Sequence, residues 1–417
     1  MPKSYKSFIT VFFSHVVTGV KSYRSMILLS ILALPLGAIV SLAEVFFGKG
    51  LELVTEFRTA NPLYFMPFLA IAGLVIVFMF EKFGLNGKCR KGMGLVFDAA
   101  EDKNSIPLRL APLMMIGSWL THLCGGSAGR EGVAVQIGAS ITDQLGARLK
   151  LENCRDTFII IGMAAGFAGL FQTPFAACFF AIEVLVAGEM KYKSLFPAVI
   201  ASFTSYFIAH YFGLRNFSIK YLPVVGIDQI LILKLIALGF IFGFAGTLFA
   251  EGLKYTKKFL SHVAPNRYVR AVSAGVILSA FFILLDGKYS GFGTNLTIAA
   301  LNNQEVFWYD WILKMLFTIF TLSAGFMGGE LTPIFSIGAN LGAIVAPFFG
   351  LDSVFVAALG FSAAFGSATN TLFAPIFIGV ECFGANYLPY MIVVCGISKV
   401  LNFGKSIYSK QKSLEDF

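Results

Sequence analysis

One segment of this chain has the residue types and spacing to hold an anion. Gly125-Gly126-Ser127-Ala128-Gly129-Arg130-Glu131-Gly132-Val133 runs directly into an apolar helical stretch. A glycine-dense loop feeding a helix start leaves backbone N–H groups free and unshielded by side chains, and the helix dipole adds partial positive charge there. A second such loop, Ser323-Ala324-Gly325-Phe326-Met327-Gly328-Gly329-Glu330-Leu331-Thr332-Pro333, also opens a helix. Its proline suits a first helical turn, where the missing N–H costs nothing. A third loop, Gly92-Met93-Gly94, precedes a further helical stretch. Three helix starts meeting at one point would hold a small anion without a full positive charge. The same glycines would serve tight turns and close helix packing; a single loop does not separate the two readings, and the set of three favours the anion. Glu131 and Glu330 lie within these loops. A carboxylate in that position competes with an anion when charged and carries a proton when neutral. Capping its own helix start is the plainer alternative for each.

The elements that position these loops are set by composition. Hydrophobic types make up 57% of the 417 residues and charged types only 13%, about half the charged share of a soluble domain. Such a chain cannot cover a soluble surface and reads as an all-α integral membrane protein. Its apolar runs are too long for barrel strands and lack a two-residue alternation. Several runs fall short of the ~20 residues that span a bilayer, and the run 157–187 is broken at Gln172-Thr173-Pro174. Short, interrupted helices at membrane depth belong where their ends line a site, as in transporters and channels. An acidic group held there is a functional candidate by default.

The chain repeats itself. Gly92-Met93-Gly94 meets Gly291-Phe292-Gly293 at an offset of 199, Ser127-Ala128-Gly129 meets Ser323-Ala324-Gly325 at 196, and Ile137-Gly138-Ala139 meets Ile337-Gly338-Ala339 at 200. Gln172 to Glu183 meets Asn370 to Glu381 at 198. Four matches in one order at nearly one offset give two structural repeats of ~200 residues. Matching loops differ in charge. The loop 81–105 carries Lys82, Lys88, Arg90, Lys91 and Lys103, whereas 280–304 carries only Lys288; the loop 252–270 is basic, whereas 53–71 has only Arg58. If basic loops are cytoplasmic, the halves cross the membrane in opposite senses. The same rule places both termini in the cytoplasm. The expected organisation is an amphipathic cytoplasmic segment at 1–25, a first membrane repeat at 26–213, a second at 228–403 and a short cytoplasmic segment at 404–417.

The net charge of +9 comes from Lys and Arg spread among loops, not from a basic domain, so no nucleic-acid partner is expected. The first residues lack a signal-peptide cleavage site. The cysteines Cys89, Cys124, Cys154, Cys178, Cys382 and Cys395 form no CxxC and read as small buried hydrophobes, and the four histidines have no metal-ligand spacing. Neither a metal nor a cofactor is expected.

The loop S-A-G-R-E-G-V resembles the G-K/R-E-G-P signature of the CLC chloride channels and transporters. Gly328 to Pro333 resembles the G-x-F-x-P motif of that family, Gly92-Met93-Gly94 stands where it has G-S-G-I-P, and Gly404-Lys405-Ser406-Ile407-Tyr408 resembles its final G-K-P-x-Y segment. The resemblance runs in order from about residue 26 to 410. It implies the CLC fold, an inverted-repeat helical membrane domain that forms a homodimer with a pore in each subunit. It makes Glu131 the gating glutamate, places the Tyr408 hydroxyl on the central anion site, and assigns the anion path to Met93, Gly94, Gly129, Arg130, Gly132, Val133, Leu331 and Thr332. An interfacial belt is the alternative for Tyr408.

The departures from that pattern are informative. Met93 replaces the usual serine, Val133 the usual proline, and the phenylalanine motif reads E-L-T-P, which introduces Glu330 and Thr332. Val184 stands where chloride exchangers have the second of two glutamates, and Glu183 with its mate Glu381 is expected to hold structure. Together these features resemble the fluoride-exporting branch, which exchanges fluoride for protons. Physics supports this in part: a protonated Glu131 or Glu330 donates a strong hydrogen bond to fluoride, and chloride gains much less. Exchanging the serine for a thioether removes a donor and runs the other way. The expected function is fluoride export in exchange for protons at a bacterial plasma membrane, with no nucleotide-binding tail. A chloride/proton antiporter and a passive anion channel are the rivals; an enzyme is not expected, for no HExxH, GxSxG or paired catalytic His/Asp occurs.

Overall fold

A computed structural model describes residues 3–84, 92–149, 151, 154–215, 217–218, 223 and 225–413, with side chains from Tyr23 onward. The first half supplies α1 (Lys3–Ala60), α2 (Pro62–Phe65), α3 (Leu69–Phe83), α4 (Gly94–Ala100), α5 (Leu110–Leu123), α6 (Glu131–Leu149), α7 (Arg155–Phe171), α8 (Pro174–Glu183) and α9 (Leu195–Tyr211). The second half supplies α10 (Gln229–Val263), α11 (Arg267–Leu284), α12 (Thr294–Leu301), α13 (Asp310–Ala324), α14 (Leu331–Val345), α15 (Ser353–Thr369), α16 (Phe373–Phe383) and α17 (Leu388–Val400). The repeat holds helix for helix: α4 starts at residue 94 and α12 at 294, α5 at 110 and α13 at 310, α6 at 131 and α14 at 331.

Packing repeats as well. α6 lies on α7 as α14 lies on α15, and α7 on α9 as α15 on α17. Three pairs of mates also touch each other, α3 with α11, α6 with α14 and α8 with α16, which puts a local two-fold relation between the halves. The close approach of α6 to α7 depends on glycine. A Cβ on Gly138 would fall 2.0 Å from the Gly162 carbonyl oxygen, and one on its mate Gly338 would fall 2.1 Å from that of Gly360. These two glycines therefore serve packing, as small residues do between membrane helices.

Both broken runs end alike. Gln172 closes α7 in the left-handed region at φ 62°, and Asn370 closes α15 at φ 59°. Pro174 then opens α8 in the first turn, where its ring costs no hydrogen bond. The new helix starts are capped across the two-fold. Glu381 accepts from the N–H groups of Phe175 (3.0 Å) and Ala176 (2.8 Å) at the start of α8. Glu183 accepts from the N–H groups of Leu372, Phe373 (3.0 Å) and Ala374 (3.4 Å) at the start of α16.

Among the described residues, five stretches are long and apolar enough to cross a bilayer: Tyr23–Ala60, Pro62–Phe83, Gln229–Val263, Arg267–Leu284 and Leu331–Phe349. The outer faces of α1, α10 and α11 expose Ile31, Phe46, Phe240, Phe244 and Ile277, a surface suited to lipid. The short α7 is buried along Thr157–Phe171, so its broken ends meet protein rather than hydrocarbon. Cys124, Cys178, Cys382 and Cys395 are buried thiols and Cys154 is half-buried; Cys89, Lys88, Arg90 and Lys91 lie outside the described residues.

Two details differ from the expected loops. Residues 252–263 belong to α10 and 267–270 to α11, so the connection is only 264–266, with Asn266 capping α11 through the N–H of Tyr268 at 2.9 Å. Helices run beyond the apolar core because their basic ends can be solvated outside it. Likewise α1 continues without a break across residue 25, where no glycine or proline interrupts it.

Candidate functional site

The starts of α6 and α14 meet head to head. The Gly129 N–H donates to the Gly329 carbonyl at 2.6 Å, and the Gly329 N–H donates back at 2.7 Å. Only glycine permits this approach: a Cβ on Gly129 would stand 2.8 Å from Thr332 Oγ1 and 2.9 Å from Pro333 Cδ. The N–H groups in the first turn of a helix have no intrahelical acceptors. Val133 is an exception to the expected set, because its N–H is already engaged by the Arg130 carbonyl at 3.1 Å. The first turn is tight enough to satisfy it.

Glu131 is the first residue of α6 and is wholly buried. Its Oε2 accepts from the Thr332 hydroxyl on α14 and from the Arg130 N–H at 3.3 Å. Arg130 Nε stands 3.6 Å from Oε1, and Oε1 has no hydrogen-bond partner among the described residues. Glu330 precedes α14 directly, and its Oε2 lies 3.1 Å from where a Cβ on Gly132 would be. The two carboxylates thus flank one junction.

A cavity of about 650 Å³ opens onto this junction. Glu131, Arg130 and Thr332 line it, together with Arg58, Arg215, Lys288 and Phe292. Its charged lining is mainly cationic, with Glu131 and Asp286 as the acids. Phe292 lies between two partners: the Arg130 guanidinium is 5.2 Å from its ring centroid and the His122 ring 4.4 Å away.

The remaining expected residues stand elsewhere. Gly129, Gly132, Leu331, Glu330, Met93, Gly94 and Tyr408 are not among the residues that line the cavity. Met93 is buried at the N-cap of α4. The loop before α4 is tied to α6 through Gln136, whose Oε1 accepts from the Gly92 N–H at 2.9 Å and whose Nε2 donates to the Gly132 carbonyl at 2.7 Å. Tyr408 is buried against Phe97 of α4, with ring centroids 5.7 Å apart, and its hydroxyl has no partner among the described residues. The C-terminal segment holds it there. Lys410 pairs with Asp98 on α4, Lys412 with Glu101 at 3.0 Å, and β2 (Lys412–Ser413) runs parallel to β1 (Val186–Ala187).

Sequence reading missed several groups. Arg58, Lys288 and Phe292 entered only as loop residues, and Arg215 and Lys314 did not enter. Lys314 is fully buried in α13. Its signal was present, a lone lysine inside the apolar run 311–325, and the rule that singles out buried acids in a membrane applies equally to it.

The voltage gated chloride channel family matches residues 72–402. A protein of Pseudomonas syringae pv. tomato, named chloride/fluoride channel protein, is 33% identical over 381 residues, covering 89% of this chain and 83% of its own length. The H(+)/Cl(-) exchange transporter ClcA of Yersinia pestis is 25% identical, covering 93% and 87%. A crystal structure of a CLC-type fluoride/proton antiporter superposes with a TM-score of 0.91 at 46% identity, over 94% of this chain and 99% of that one. A slow cyanobacterial Cl-/H+ antiporter, at 19% identity and a TM-score of 0.80, shares the fold over 91% and 96%. The inverted repeat of short, broken helices is the architecture of these proteins, which are channels and transporters and not enzymes. The chain therefore belongs to the voltage gated chloride channel family, the CLC proteins, and is a multi-pass membrane protein of anion transport.

Proposed function

We propose that this protein is a secondary active transporter that exports fluoride in exchange for protons, with Glu131 as the gate of each subunit's pore. One observation carries the reading: the Glu131 carboxylate, buried at the head of α6, lines a cavity whose other charged residues are mainly cationic. In this position the carboxylate occupies the site as a tethered anion. Protonation cancels its charge and releases the Thr332 contact, and an entering anion takes its place. Fluoride suits such a site because Thr332 and a protonated Glu131 or Glu330 donate strong hydrogen bonds to a small acceptor. The 46% identity to a structure described as a fluoride/proton antiporter supports the same ion pair.

Around the gate, Gly129, Arg130, Gly132 and Leu331 shape the outer site, with Val133 contributing packing. Met93, Gly94 and Tyr408 form the far side of the path, and the unpartnered Tyr408 hydroxyl is its free donor. By the distribution of basic residues, the cavity faces away from the cytoplasm, both termini are cytoplasmic and the protein sits in a bacterial plasma membrane as a homodimer. Inward-directed protons then drive fluoride out. The four-part organisation at 1–25, 26–213, 228–403 and 404–417 is retained with this reading.

The test is uphill transport. Proteoliposomes holding equal fluoride on both sides are given a pH gradient, and a fluoride electrode follows the medium. Fluoride should move against its own gradient, toward the more acidic side. A second reading, a passive channel, draws on the channel name of the Pseudomonas relative; it predicts no fluoride movement under a pH gradient when the membrane potential is clamped at zero.

A further inference from the structure

We propose that Lys314 is a permanently protonated ammonium whose counter-charge is the anion in the cavity, which makes it a positioning residue for the transported ion. Hydrogen counting argues for its charge. The Thr318 hydroxyl donates to the Lys314 carbonyl at 2.8 Å, which uses its only hydrogen. With that hydrogen so placed, the 2.9 Å contact between Ser127 Oγ and Thr318 Oγ1 is assigned to donation by Ser127. Ser127 Oγ in turn has no hydrogen left for Lys314 and can only accept from Nζ, at 2.9 Å. The other two partners of Nζ are carbonyl oxygens, of Gly291 at 2.7 Å and Tyr289 at 3.1 Å. Three acceptors require three hydrogens, and a neutral amine has two.

No carboxylate pairs with this ammonium among the described residues. The nearby acid Asp310 is engaged by Lys288 at 2.8 Å and by the Tyr289 hydroxyl at 2.6 Å. A second cation flanks the same loop, since a Cβ on Gly291 would fall 2.4 Å from Arg58 Nη1. An unpaired buried charge is costly unless something of opposite sign comes near. The geometry shows where that happens. Lys314 Cε lies 2.6 Å from where a Cβ on Gly293 would be, and Gly293 and Glu131 line the same cavity. With its three hydrogens occupied, Lys314 cannot coordinate an ion; it acts through its field across the wall. That field favours any anion, so this inference rests on the anion-transport reading and is independent of fluoride selectivity.

The experiment is equilibrium titration of the purified full-length protein with sodium fluoride and, separately, sodium chloride. Lys314→Met and Lys314→Gln should weaken the binding of whichever anion the wild type binds by about tenfold or more, the effect of one charge at roughly 10 Å in a partly polar medium. Lys314→Arg should bind within about twofold of wild type, as should Thr318→Ala, which cuts the same network and leaves the charge. Equal losses in Thr318→Ala and Lys314→Met would make the role structural and overturn the proposal. Unchanged affinity in Lys314→Met would overturn it too. If the neutral variants do not fold, nitrogen NMR of lysine-labelled wild type decides, with the resonance assigned by its loss in Lys314→Arg. A triply protonated Nζ that shifts on anion addition is expected, and a neutral amine at pH 7 refutes the inference. Wild-type binding of chloride alone would sink the fluoride reading and leave this test intact.

Discussion

Replacing Thr332 by valine keeps the shape of the side chain and removes one hydrogen. That hydrogen is donated to Glu131 Oε2, whose other donor among the described residues is the Arg130 N–H at 3.3 Å. A hydrogen bond to a charged group is worth about 1.5–3 kcal/mol. Losing it leaves the buried carboxylate short of its strongest donor and should lower the stability of the anion-free protein by about that amount. The assay is thermal unfolding of the purified protein without fluoride. We expect Thr332→Val to lose about 1.5–3 kcal/mol and Thr332→Ser, which keeps the hydroxyl, to stay within about 0.5 kcal/mol of wild type. A loss below about 0.5 kcal/mol in Thr332→Val would refute the bond between this hydroxyl and the gate.

Other perturbations have equally definite outcomes. Gly129→Ala introduces a Cβ 2.8 Å from Thr332 Oγ1 and 3.0 Å from the Gly329 carbonyl, so the two helix starts must separate; transport should fall at least about tenfold while the protein still purifies as wild type, which gel filtration and flux measure together. Glu183→Ala strips the start of α16 of its acceptor for three N–H groups and should cost about 2–4 kcal/mol of stability, seen in thermal unfolding, with Glu381→Ala giving a similar loss at α8. At the C-terminal strap, the Lys103 ammonium beside Glu101, with Lys412 on its other side, holds that carboxyl below its usual value of 4.5. A lowered native value means the contact stabilises above the unfolded value and is lost as pH falls through the native one. The protection of residues 408–413 against hydrogen exchange, taken relative to the intrinsic rate at each pH, should therefore fall in acid below that point and remain flat from pH 5 to 8.

The parts of the molecule readable beforehand are those coded by local pattern. The glycine-to-glutamate loops announced the starts of α6 and α14 because free N–H groups and missing side chains leave a mark in composition. The offset near 200 between Gln172 and Asn370 announced the paired helix breaks, and both residues adopt the same left-handed turn. Glu183 and Glu381 were expected to be structural, and each caps the helix of the other half. What pattern does not encode is contact between distant segments. Glu131 and Thr332 were both singled out, yet nothing in a linear reading joins residues 201 positions apart. The reciprocal pairing of Gly129 with Gly329 has the same origin, since a two-fold axis is a property of the folded chain. Lys314 shows in the sequence as a lone lysine inside an apolar run, which marks a candidate; which groups it meets emerges only when α13 is packed against the loops at Ser127 and Gly291.

The most direct measurement is simultaneous recording of fluoride and proton flux from proteoliposomes containing wild type or Glu131→Gln. A glutamine at 131 keeps the size of the side chain but neither binds nor releases the proton. In wild type, we expect proton uptake to rise and fall with fluoride efflux at a fixed ratio. In Glu131→Gln, fluoride should still move down its gradient while the accompanying proton flux disappears. Proton movement that persists in step with fluoride in Glu131→Gln would contradict the assignment of Glu131 as the group that trades a proton for the anion.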